Sequence, residues 1–198
     1  AFMRASSCRV EHEARMKATI TMTSRSVAHP AGMATDPALV AHLLRRLTFG
    51  PRPGEIDRYV DLEPGAIVRE ILAAPALDPE PPALGTGDDY TVLLRWWLDL
   101  LSSPDAGLHE RMVWFWHGHV TSSLDKSEPL HMYRQHRLLR EHALGNFRSL
   151  MQAIAVDPAM LLWLDGAWST AEAPNENFAR EVMELFTLGR GNYTEADV

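Results

Sequence analysis

RMVWFWHGHV, residues 111–120, is the stretch whose reading decides the fold. An α-helix advances about 100° per residue, so Met112, Val113, Trp114, Phe115 and Trp116 between them cover every side of one. Such a turn predicts a central helix buried all round by other helices. His117 and His119 follow it, on either side of Gly118. If the helix continues through the glycine, the two imidazoles point about 160° apart and cannot share a ligand. If it stops there and the chain extends, they converge on one metal ion or one substrate. The alternative to ligation is a pair of hydrogen-bonded core histidines. Burial lowers an imidazole pKa and keeps the ring neutral, which suits either role.

On both sides of this run the apolar positions recur at helical spacing. Leu39, Val40, Leu43, Leu44 and Leu47 make one stripe, entered through a cap with Pro37 in its first turn and ended by Phe49-Gly50-Pro51. Further helices fit roughly 53–62, 64–74, 90–101, 107–117, 129–143, 146–155, 158–164 and 175–188. The stretch 76–87, rich in Pro and Gly, reads as a surface loop. Trp96 and Trp97 read as core side chains. No alternating strand pattern and no internal repeat is present. The fold class is all-α, an irregular multi-helix domain of about eight helices.

With 46% hydrophobic and 23% charged residues in 198, the chain has the composition of a globular domain with a core of its own. Charge is uneven. Residues 1–32 carry five basic residues against Glu11 and Glu13, a balance of +3, which leaves −10 on 33–198 out of the total of −7. An acidic surface repels phosphate backbones, so nucleic acid is an unsuitable partner. Residues 1–32 have no sustained period and no apolar core of a signal or membrane span. They are expected to be a disordered or spurious tail, with the helical domain running over 33–198. Without a signal the default compartment is cytoplasmic, and no membrane partner is expected. Cys8 stands alone, so no disulfide framework exists within the chain.

Six of the nine histidines fall between His109 and His142. On the 129–143 helix, His131, Gln135, Leu138 and His142 share a row, but its two histidines lie about 16 Å apart. That helix therefore contributes at most one ligand to any site. Arg134, Arg137, Arg140 and Glu141 read as a solvated or interface face, with Glu141 pairing back to Arg137. On the 175–188 helix, Phe178, Ala179, Val182, Met183, Leu185 and Phe186 form a broad apolar arc. Glu176, Arg180 and Glu184 form a charge ladder, and Glu181 borders the arc. One inward Glu beside histidines from another helix is how bundles assemble metal sites, although the Glu-x-x-His pair of di-iron bundles is missing.

The candidate site is therefore His117, His119 and Glu181 as ligands of an unspecified divalent metal ion, with Glu181 and Arg180 as catalytic groups. Arg180 would orient a carboxylate or an anionic substrate. His117 or His119 is expected to approach Glu181 or Arg180 across one polar pocket. Two functions follow: a metal- or acid/base-dependent enzyme, or a non-catalytic binding or scaffold module whose polar groups tie helices together. Phosphate loops, nucleophile elbows, His-Glu-x-x-His and Cys metal patterns are absent from the sequence.

Four segments carry a resemblance: HLLRRLTFGPRPGEID (42–57), RMVWFWHGHVTSS (111–123), LREHALGNFRSLMQAIAVDPAMLLWLD (139–165) and PNENFAREVMELFTLGRGNYTEADV (174–198). Together they resemble the bacterial family catalogued as domain of unknown function 1800, over essentially all of 35–198. The resemblance implies a longer protein of which this chain is the N-terminal portion. The missing C-terminal half is then the expected partner, completing the pocket and covering the C-terminal end. It also implies export for many members, and it brings no established reaction. Thr194, with an acid three residues on at Asp197, reads as the cap of a further helix.

Overall fold

The computed structural model describes residues 34–85 and 90–198; the expected tail at 1–32, with Cys8, lies outside them. Helix α1 (Pro37–Leu47) starts where the Asp36 carboxylate accepts the Ala38 N–H at 2.8 Å, with Pro37 as its first residue. Helices α2 (Glu55–Tyr59) and α3 (Pro64–Ala73) lay their apolar faces on it. Val40, Leu44, Tyr59, Ile67 and Ile71 close this first cluster together with Leu108.

The larger cluster lies further along. Helices α4 (Tyr90–Ser102), α5 (Leu108–His119), α6 (Pro129–His142), α7 (Phe147–Ile154) and α8 (Pro158–Trp163) are followed by a 3-10 turn at Gly166–Trp168. Helix α9 (Asn177–Glu181) then runs directly into a π-helical turn, Val182–Thr187. Helix α6 is the hub, packing on α4, α5, α7 and α8. Val113, Val120, Leu139, Leu150, Ile154 and Phe186 meet in the core it organises. The described residues are all-α, with no strand among them. No helix among them is long and apolar enough to cross a membrane.

Three expectations need correcting. The α5 turn is not buried all round: Val113 is fully buried, but Trp114 is 47% and Phe115 50% exposed. Helices α6 and α7 cover only one side of α5, where Trp116 donates its Nε1–H to the Ala143 carbonyl at 2.9 Å. The other rings lie against neighbours, Trp114 on Trp97 at 5.5 Å and Phe115 on Trp116 at 4.9 Å between centroids. Secondly, of the two paths open at Gly118 the chain takes the helical one, past the expected end at 117. It continues to His119, so the two imidazoles leave on different sides of the helix.

Thirdly, the 175–188 helix is not uniform. The Leu188 N–H reaches back five residues to the Met183 carbonyl at 2.9 Å, and Gly189, with φ 82°, joins it at 3.0 Å. The widened turn buries Phe186 and rotates Leu185 into solvent. It also takes Glu184 off the Arg180 row. Glu184 instead accepts the Tyr193 hydroxyl at 2.7 Å and pairs with Arg190 at 3.2 Å. Only the carboxylate half of the expected cap at Thr194 forms, on a turn over 195–197: Asp197 accepts the Thr194 N–H and its hydroxyl, both at 2.8 Å.

The loop after α3 is held at two points. Arg140 donates to the Leu77 carbonyl, and Trp96 donates its Nε1–H to the Glu80 carbonyl at 2.8 Å. The Arg140 guanidinium also pairs with Glu110, which is only 1% exposed. The ion pair therefore joins α5, α6 and the loop beneath one surface.

Candidate histidine–tryptophan cavity

Helical spacing on α6 places Met132, His136, Leu139 and Ala143 on one buried row, at i, i+4, i+7 and i+11. The imidazole of His136 therefore points inward. Helix α4 crosses above it and brings Trp96 and Trp97; α5 brings His117. Between them lies a cavity of about 230 Å³. Leu93, Leu94, Leu124 and Met132 complete its apolar wall, and Ser122 and Ser123 lie at its edge. No Lys, Arg, Asp or Glu is among its lining residues.

The rings meet edge to face. Trp97 lies 4.4 Å from His117 and 5.5 Å from His136, and Trp96 lies 4.9 Å from His136 and 5.5 Å from Tyr133. His136 is 5% exposed, and neither of its ring nitrogens has a hydrogen-bond partner. The Nε1–H of Trp97 is likewise buried and unpartnered. Each such orphan costs about 1–3 kcal/mol relative to a satisfied group. Burial, reinforced by the positive charge of Arg140, pushes His136 down to about 3. Burial also lowers His117. Both imidazoles are therefore neutral near pH 7, each with one donor and one acceptor nitrogen.

The rim of the cavity is fixed from below. Ser122 donates to the Gln135 side-chain oxygen at 2.5 Å, and Gln135 donates to Asp157 at 2.8 Å. The same carboxylate oxygen caps α8 by accepting the Met160 N–H at 3.0 Å. Burial raises the Asp157 pKa, and the Met160 and Gln135 hydrogen bonds oppose that rise. Every hydrogen-bonding link in this chain is made, in contrast to the imidazole above it.

The sequence-predicted residues separate. His117 faces the cavity. His119 donates its Nε2–H to the Phe186 carbonyl at 2.9 Å, which joins α5 to the π turn and leaves its Nδ1 as the acceptor. Arg180 is bidentate to Glu195 at 2.7 and 2.9 Å and reaches Glu176 at 3.6 Å. Glu181 is half-buried and has no side-chain partner among the described residues. No three His, Cys, Asp or Glu side chains among the described residues are grouped to hold a metal ion. His117, His119 and Glu181 are therefore not assembled as one ligand set. The approach of α5 to the last helix is made through a backbone carbonyl.

His136, Trp96 and Trp97 are site residues that sequence reading passed over. The signal for His136 was there: a histidine in phase with Met132 and Leu139 on an apolar row. A second cavity, about 380 Å³, lies between the 76–81 loop and α6, with His109 and Arg140 in its wall. Trp96 borders both.

Residues 42–198 match the family model described as "Protein of unknown function (DUF1800)". No curated protein and no solved structure matches the chain.

Proposed function

Since the chain belongs to the DUF1800 family, whose description names no reaction, we propose from its own geometry that it is an acid/base enzyme acting on a small molecule in the His117–His136 cavity. The observation that carries this is His136: a buried imidazole with both nitrogens unpartnered, at the wall of a cavity large enough for a ligand. Structural histidines are retained with their nitrogens satisfied. One held neutral and unsatisfied keeps a free lone pair for a substrate proton, at a basicity that burial reduces. His117, half-buried on the same cavity and also held neutral by burial, is the second candidate base, and Trp96 and Trp97 exclude water and position a flat substrate. Glu181, half-buried on α9 and without a side-chain partner among the described residues, does not line this cavity.

The alternative scaffold role fits other polar groups. His119 and Arg180 spend their hydrogen bonds on Phe186 and Glu195 and so fasten the π turn and the following loop. On this division His117 and His136 carry chemistry, and His119 and Arg180 carry architecture.

Ring opening of benzisoxazole reports a base in an apolar site. An imidazole removes the ring C–H proton as the N–O bond breaks, and the electron pair ends on the phenolate oxygen. The wild-type chain is expected to accelerate this at least about a hundredfold over the same concentration of free imidazole. H117Q and H136Q should each lose most of that gain. A rate equal to free imidazole, or one indifferent to both substitutions, overturns the reading.

A further inference from the structure

We infer that the His117–His136 cavity takes an uncharged aromatic compound of one or two rings bearing a single hydroxyl group; the inference rests on the acid/base reading above and names its substrate class. Size comes first. An apolar cavity of about 150 Å³ holds benzene, so one of about 230 Å³ has room for a substituted ring or a small bicycle. It falls short of the several hundred Å³ typical of larger organic ligands.

Charge comes next. A ligand ion entering here would shed its water and find no Lys, Arg, Asp or Glu among the lining residues to replace it. Arg140, whose charge acts on His136, is committed to Glu110 and the Leu77 carbonyl. A cation meets neutral imidazoles, and an anion meets no fixed positive group. The ligand is neutral.

The polar handle follows from the orphan atoms. His136 offers a donor and an acceptor nitrogen without partners, and Trp97 offers an N–H. A hydroxyl is the smallest group that can both donate to an imidazole nitrogen and accept an N–H. The remaining wall is indole, leucine and methionine, which matches an aromatic face.

Isothermal titration of the whole chain with naphthol, naphthalene, naphthoate and naphthylmethylammonium tests this. Naphthol should bind at least about tenfold more tightly than naphthalene, the margin expected from hydrogen bonds to buried partners. Both charged analogues should bind weakest. In H136Q and in H117Q, each checked for fold by circular dichroism, the preference for naphthol over naphthalene should shrink. Equal binding of naphthol and naphthalene, tighter binding of either charged analogue, or no binding of any of the four overturns the inference. The benzisoxazole assay separates the two claims. If ring opening still depends on His117 and His136 while the ligand order fails, the substrate class falls alone. If ring opening is absent, the acid/base reading falls and takes the inference with it.

Discussion

His136 shows how one residue can be placed by fold and spared by it. Its position on the apolar row of α6 buries it, and the surrounding indoles give its ring contacts without hydrogen bonds. The consequence for stability can be signed. Its pKa is depressed in the folded chain, to about 3, while the unfolded chain binds a proton near the ordinary value of about 6.5. The unfolded state therefore takes up the proton first. Stability is fully present above about pH 6.5 and is lost as pH falls toward 3. Urea unfolding between pH 6.5 and 5 should show a loss of up to about 1.4 kcal/mol per pH unit from this group. H136Q should remove that component whatever its absolute stability. An unchanged slope in H136Q would mean the ring is protonated or exposed in the native chain.

At the scale of elements, α6 is held from above by an ion pair and from below by a hydrogen-bonded chain. Removing Glu110 leaves Arg140 charged and uncompensated inside the protein. E110A should cost roughly 3–5 kcal/mol in urea unfolding, whereas replacing both partners by methionine should recover most of that loss. R140M should also release the Leu77 carbonyl and speed amide exchange in the 76–81 loop. A cost for E110A below about 1 kcal/mol would show that the pair is solvated. The positions of the helices were legible in the sequence, because stripes such as Leu39–Leu47 and caps such as Asp36-Pro37 are local signals. The path of α5 through Gly118 and the π turn at Val182–Thr187 were not. A glycine that ends one helix is tolerated in another, and the packing of Phe186 beneath His119 is a long-range contact that period alone does not encode. For the same reason the period of α6 marks His136 as an inward residue, but its pairing with His117 across a cavity takes shape only where α4, α5 and α6 pack together.

Across the whole described unit, Ala34–Val198, apolar surface is not evenly hidden. Trp114 and Phe115 on α5 lie half open, and Leu94 and Leu98 flank Trp97 on the adjoining α4 with similar exposure. An apolar-all-round helix segment covered on one side leaves its other side to solvent. This chain should therefore bind a hydrophobic dye such as anilinonaphthalene sulfonate in its native state. The double variant W114Q/F115Q should reduce that signal while changing unfolding free energy by no more than about 1 kcal/mol. A dye-silent wild type would mean that this face is closed in solution.

The central claim is that His136 is a neutral imidazole without a hydrogen-bond partner, kept so for a ligand. Long-range proton–nitrogen correlation spectra of histidine rings, recorded from pH 8 to pH 5 on the nitrogen-labelled chain and assigned with H136Q, read that state directly. The account predicts one imidazole that stays neutral throughout and shifts when naphthol is added. A His136 ring that titrates near pH 6.5 and ignores naphthol would contradict it.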